Sequence, residues 1–232
     1  MPRTARIAIP DVPHHITQRG NNRQDVFFVD DDRRVYLSLL KEHADKYGLE
    51  ILGWCLMTNH IHLIARPADT KALAKALGRT HFRYTQYINR LHGRSGHLWQ
   101  NRFYSCPLGK QHFWRALRYI EQNPVRAEMV KQPAQYKWSS AKAHLSGIDP
   151  AGLLNVGWWR QASARIDWKQ ALRIPQPQEQ VDQIRRNTHT GRPLASDSFI
   201  SKLEKLVNKR LRPLPVGRPK KRKKKLKTGK NR

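Results

Sequence analysis

The run from residue 52 to residue 65 constrains the fold more than any other stretch of this chain. It reads Leu52-Gly53-Trp54-Cys55-Leu56-Met57, then Thr58-Asn59, then His60-Ile61-His62-Leu63-Ile64-Ala65. So apolar a segment is unsuited to a surface loop and suited to central strands. The Thr58-Asn59 link divides it, which predicts one strand over 49–57 and its neighbour over 60–66. Side chains two apart on a strand share a face, so His60 and His62 point the same way. Two imidazoles held on a rigid sheet can ligate a divalent metal with little freedom left to lose.

The flanking segments complete a pattern. Residues 13–19 read as a first strand, closed by the turn Gly20-Asn21-Asn22-Arg23. Asp30, Asp31 and Asp32 suit the positive end of a helix dipole and precede an apolar stripe of Val35, Leu39, Leu40, Ala44 and Tyr47, which Gly48 ends. Pro67-Ala68-Asp69-Thr70 opens a second helix with Leu73, Ala76, Leu77, Tyr84, Ile88 and Leu91 on one stripe. A further strand is expected over 98–108 and a third helix over 111–123, which Pro124 should end or kink. The first six elements run strand–helix–strand–strand–helix–strand, the ferredoxin-like split arrangement of an α+β fold, an antiparallel sheet with helices on one face. Beyond about residue 150 the periodicity weakens to short apolar pieces around Ile200, Leu203, Leu206 and Leu211. The expected organisation is a catalytic domain over 1–148, a helical or irregular extension over 149–216 and a disordered basic tail over 217–232.

Charge names the class of partner. The chain of 232 residues carries 45 Lys and Arg against 17 Asp and Glu, a formal net charge of +28. A polyanion that releases its counterions on binding is the natural partner, and nucleic acid is favoured over an anionic membrane because no segment is apolar enough to span one. Cys55 and Cys106 have no CxxC partner and read as buried, reduced thiols. No long apolar stretch follows the N-terminal Met1-Pro2-Arg3-Thr4-Ala5-Arg6, so a cytoplasmic, nucleoid-associated location is expected.

A second cluster, Tyr119-Ile120-Glu121-Gln122-Asn123-Pro124, places Tyr119 and Asn123 on one side of a helix. A phenol and an amide oxygen can there meet the histidine pair, and a metal and a phenol facing a basic surface suggest attack on a phosphodiester. Each residue has a blander reading. Histidines at a strand edge are often merely satisfied, most tyrosines only pack, and Asn123 could simply end a helix before proline. Tyr84, Tyr87 and Tyr104 are rival nucleophiles. Glu121 and Gln122 read as solvated or structural, and His14 and His15 as turn or surface residues, although one could approach the site.

Taken together, His60-Ile61-His62, Leu98-Trp99-Gln100-Asn101-Arg102-Phe103 and Tyr119-Ile120-Glu121-Gln122-Asn123-Pro124-Val125-Arg126-Ala127 resemble the REP-associated tyrosine transposases. These are bacterial single-tyrosine members of the HUH endonucleases, named for a histidine–hydrophobic–histidine motif. The likeness covers roughly residues 7–145, and Gly191-Arg192-Pro193-Leu194 is similar to their C-terminal part.

The resemblance implies that His60, His62 and Asn123 bind a divalent ion, Mg²⁺ or Mn²⁺, and that Tyr119 attacks phosphorus. The implied product is a 5′-phosphotyrosine with a free 3′-hydroxyl on single-stranded DNA beside a palindromic hairpin, with no nucleotide cofactor. A phenol is mostly protonated at neutral pH, so its attack needs activation or close positioning. The candidate DNA contacts are Arg3, Arg6, Arg19, Asn22, Arg23, Arg94, Arg102, Arg218, Lys220 and Lys221. Around Arg19 to Arg23 a phosphate clamp and a solvated turn fit equally. Gly217-Arg218-Pro219-Lys220-Lys221 resembles an AT-hook core, and a nonspecific polycation is its plainer alternative. A monomer or a homodimer is compatible with one tyrosine per chain. Two rivals stand: a non-catalytic DNA- or RNA-binding protein on the same fold, and a metal hydrolase that forms no adduct.

Overall fold

A computed structural model describes residues 7–213 of the chain. Arg3, Arg6, Arg218, Lys220, Lys221 and the whole tail read as disordered lie outside the described residues. The elements up to residue 126 are β1 (His14–Arg19), α1 (Asp30–Tyr47), β2 (Leu49–Leu56), β3 (His60–Pro67), α2 (Ala72–Leu91), β4 (Tyr104–Pro107), α3 (Lys110–Glu121) and α4 (Asn123–Arg126). After these come α5 (Ala141–Ser146), α6 (Val156–Ser163), α7 (Trp168–Arg173), α8 (Gln178–Thr190) and α9 (Asp197–Leu206).

Local chemistry sets the helix ends. Asp32 Oδ2 accepts the free N–H groups of Phe28 and Val29 at 2.7 and 2.9 Å, so the third aspartate closes the first turn of α1. Gly48 ends that helix in the left-handed conformation, at φ 66°. Asp69 Oδ1 does the same work for α2, taking the N–H groups of Lys71 and Ala72.

The four strands form one antiparallel sheet in the order β2-β3-β1-β4, the ferredoxin-like α+β fold. The register pairs Thr17 with His62, Arg19 with His60, His15 with Ile64, and Cys55 with His62. Alternation therefore puts His15, Thr17, Arg19, His60 and His62 on one face. Ile16, Leu56, Ile61 and Leu63, all fully buried, line the other, under α1 and α2. The seventh element, α3, covers the histidine face. It reaches β2 closely because Gly53 has no side chain; a Cβ there would overlap Leu117.

Some expectations need correction. The strand expected over 98–108 is only Tyr104–Pro107, since Trp99 makes one isolated bridge to Gly20 and turns its ring onto Tyr36, His81 and Tyr84. Leu91 does not join the α2 stripe and is 56% exposed. Pro124 ends α3 early, so Asn123 opens the short helix α4. Of the two readings of Glu121, the structural one holds. Glu121 is fully buried and accepts from Ser140 Oγ at 2.5 Å and Trp168 Nε1 at 2.9 Å, with His144 Nδ1 at 2.5 Å. Residues 149–213 hold four helices, and Trp159, Trp168, Leu172, Val181, Ile184 and Leu194 join the same core as the sheet. Among the described residues no helix is long and apolar enough to cross a membrane.

Candidate active site

The histidine face of the sheet and helix α3 bring the predicted residues together. The His60 and His62 rings lie 5.0 Å apart, and Tyr119 stands edge-on to His62 at 5.5 Å. The rivals are engaged elsewhere. Tyr84 is buried and donates to Val26 O at 2.6 Å, Tyr87 donates to Asp32, and Tyr104 stacks on His189. Tyr119 is itself buried, as are His62 and Asn123, and the less buried His60 marks the mouth of the site.

His15, expected at a turn or surface, is a wall of this site. It lies 5.2 Å from the His62 ring and nearly parallel to it, and 5.6 Å from the Tyr119 ring. His14 is likewise buried, but points to the N-terminal segment, with Nδ1 at 2.7 Å from Val12 O and Nε2 accepting from Ile9 N.

Burial holds the site's imidazoles neutral. It lowers His15 to about 3 and, with help from the Arg19 charge, His60 to about 4. His62 is held well below its ordinary value by burial first, then by the charges of its neighbours. Neutral imidazoles are the form that binds metal, so no proton competes near neutral pH.

The lone pairs of the two motif histidines face the same task. Asn59 Nδ2 donates to Arg23 O at 3.0 Å, which turns Asn59 Oδ1 toward His60 Nδ1 at 2.6 Å. An amide oxygen only accepts, so His60 carries its proton on Nδ1 and keeps a lone pair on Nε2. His62 Nδ1 lies 3.0 Å from His15 Nε2, again leaving Nε2 as the atom it can offer. Two Nε2 donors on one sheet face fit a divalent ion. Among the described residues no group of three His, Cys, Asp or Glu is arranged to hold one.

Asn123 is tied to this site through Arg126. Its Oδ1 accepts from Arg126 Nη2 at 3.2 Å, while its buried Nδ2 has no hydrogen-bond partner among the described residues. Arg126 Nη2 also donates to Tyr119 O. Sequence reasoning left open that one of His14 and His15 approaches the site, and missed Arg126, Asn59 and Thr188. The first two stand within or beside the quoted motifs, whereas the last is 173 residues from His15 and gives no local signal.

Of the candidate DNA contacts, Arg19, Asn22 and Arg23 are exposed at the His60 end of the sheet. Arg102 is exposed beside Asn101, whose carbonyl accepts from Gln18. Arg94 lies farther off, over the Phe28 ring at 5.5 Å. A cavity of about 790 Å³ opens between α2 and residues 96–102, with Phe82, Gln86, Asn89, Gln100 and Arg102 in its wall.

The transposase family described as IS200-like matches residues 9–123. Among solved structures, a REP-associated tyrosine transposase bound to a REP hairpin is similar in fold, with a TM-score of 0.55 at 19% identity over 65% of this chain and 90% of that one. A putative transposase from Deinococcus radiodurans R1 matches at 21% identity over 52% of this chain and 96% of that one, with a TM-score of 0.37. No curated protein matches the chain.

Proposed function

We propose, from the premise that this chain belongs to the IS200-like transposase family, that it is a metal-dependent endonuclease and strand transferase for single-stranded DNA. Its substrate would be a palindromic hairpin of the REP kind, like the one bound by the structural relative. One observation carries the reading: Tyr119 stands edge-on to His62 at 5.5 Å, beside two imidazoles that both keep Nε2 free.

The chain's residues divide the work. Tyr119 Oη attacks the scissile phosphorus, the bond from phosphorus to the 3′-oxygen breaks, and that oxygen leaves with a proton as a 3′-hydroxyl. The DNA stays joined through its 5′-phosphate to the tyrosine. Attack by another 3′-hydroxyl reverses the step and joins two strands. The phosphoester is exchanged and never lost, so no nucleotide is consumed. His60 and His62, with Asn123 Oδ1 as a third ligand through its second lone pair, would hold Mg²⁺ or Mn²⁺. Bound there, the ion supplies Lewis-acid stabilisation of charge on the phosphate oxygens. Imidazole donors favour Mn²⁺ over Mg²⁺, and cellular abundance favours Mg²⁺.

Arg19, Asn22 and Arg23, exposed at the His60 end of the sheet, would hold the backbone next to the mouth of the site, and the cavity beside Phe82 would take an unpaired base. The test is covalent trapping. End-labelled hairpin DNA is incubated with protein and Mg²⁺, Mn²⁺ or EDTA, then run on a denaturing gel. A metal-dependent, protease-sensitive adduct that vanishes in Tyr119→Phe, with DNA binding retained, is the expected result. Cleavage that survives in Tyr119→Phe would instead make the protein a water-using hydrolase, and tight binding without cleavage would make it a binding protein.

A further inference from the structure

We infer that Thr188 of α8 and His15 of β1 are positioning residues that fix the tautomer of His62, so that the segment beyond the family match completes the metal site. The inference rests on the proposed role of His62 as a ligand.

The argument is a count of protons. A threonine hydroxyl has one proton and can accept two hydrogen bonds. Thr188 Oγ1 gives its proton to Ile184 O, one turn back in α8, at 2.8 Å. The same oxygen lies 2.7 Å from His15 Nδ1 and 3.4 Å from Cys106 Sγ. With its own proton committed it must accept both. His15 therefore carries its proton on Nδ1 and presents a lone pair at Nε2. That lone pair faces His62 Nδ1 at 3.0 Å, so His62 must donate there, which leaves His62 Nε2 free to bind a metal.

The relay has one other self-consistent state. If Thr188 gave its proton to His15 Nδ1, His15 would donate from Nε2 and His62 would carry its proton on Nε2. In that state His62 could not ligate. The carbonyl of Ile184 selects between the two states, and it belongs to a helix at the far end of the sequence. Oriented partners of this kind behind a metal-binding histidine typically change metal affinity by about 10- to 100-fold.

The experiment reads the tautomer directly. Long-range proton–nitrogen correlation spectra of the metal-free full-length protein, labelled on histidine nitrogen, report which nitrogen of each ring is protonated. The expected wild-type result is a proton on Nδ1 of both His15 and His62; a proton on His62 Nε2 would overturn the inference without any variant. Thr188→Val is close to isosteric and removes the acceptor, so His62 should shift toward the Nε2–H form and Mn²⁺ affinity should fall by about 10- to 100-fold. Thr188→Ser should restore both readings, and Cys106→Ala, which removes only the thiol contact to Thr188 and leaves the Ile184, His15 and His62 bonds in place, should change neither. An unchanged tautomer and affinity in a folded Thr188→Val protein also sinks the idea. A missing Tyr119 adduct in the presence of the expected tautomers would instead count against the nuclease reading alone.

Discussion

The guanidinium of Arg126 lies over the ring of Tyr119, 4.4 Å from its centroid, and the same group holds the Tyr119 carbonyl and Asn123 Oδ1. One side chain thus braces the proposed nucleophile and a proposed ligand on opposite sides of the break at Gln122. Its Nε and Nη1 are buried without a hydrogen-bond partner among the described residues, and burial lowers its pKa from the usual arginine value. A poorly compensated buried cation contributes little to folding. Arg126→Met should therefore leave the thermal transition within about 1 kcal/mol of wild type while slowing single-turnover cleavage at least about tenfold. Loss of stability with intact cleavage would mean that Arg126 serves the fold.

Asn123 should respond to charge. Among the described residues no carboxylate joins the histidines in a metal-holding group, and Arg126 already faces Asn123 Oδ1. Asn123→Asp adds a negative ligand beside that cation, and Mn²⁺ should bind more tightly, measured by titration calorimetry or electron paramagnetic resonance. Asn123→Ala should bind about tenfold more weakly, the scale of one oriented group at a metal site. Equal affinity in both variants would remove Asn123 from the ligand set.

The two cysteines should be inert. Burial pushes the Cys106 thiol up to about 12 and raises Cys55 further, so both are neutral thiols throughout the neutral range. The reactive thiolate forms only as pH rises toward those raised values. Titration of the native protein with a thiol reagent at pH 7–8 should find neither, and the same titration in denaturant should find both. Fast labelling of the folded protein would contradict their burial.

The C-terminal helices should be inseparable from the catalytic segment. Glu121 of α3 accepts from Trp168 Nε1 of α7, and Gln122 Nε2 donates to the carbonyls of Leu172 and Ile174 at 3.0 and 2.7 Å. Trp159, Val181 and Ile184 share the sheet's core. Glu121→Ala leaves three buried groups without their acceptor and should cost about 3–5 kcal/mol in denaturant unfolding. A chain ending at residue 148 should show no cooperative transition by calorimetry. A sharp one would make 1–148 an independent domain.

The basic tail should act as an accessory. Residues 217–232 hold ten Lys or Arg and no acidic residue. Deleting them should weaken DNA binding and flatten its dependence on salt, because fewer counterions are released. The cleavage position should stay where it is, read by sequencing gel, and a moved cut would assign the tail a part in recognition.

Sequence alone determined what short-range physics controls. A continuous apolar run marked β2 and β3, the strand's period of two put His60 and His62 on one face, aspartates and Gly48 bounded α1, and Pro124 announced the end of α3. Its charge also pointed to a polyanionic partner, since charge needs no fold to be counted. Tertiary structure decided the rest. The pairing of β1 with β3 carried His15 beside His62, and the packing of α3 on Gly53 set Tyr119 against both. It also decided between the solvated and structural readings of Glu121 by burying it, because its three partners come from residues 140, 144 and 168. Thr188 reaches His15 across 173 positions. A hydrogen bond of that separation leaves no periodicity or local composition to read, because its partners meet only when the sheet, α3 and α8 close on one core.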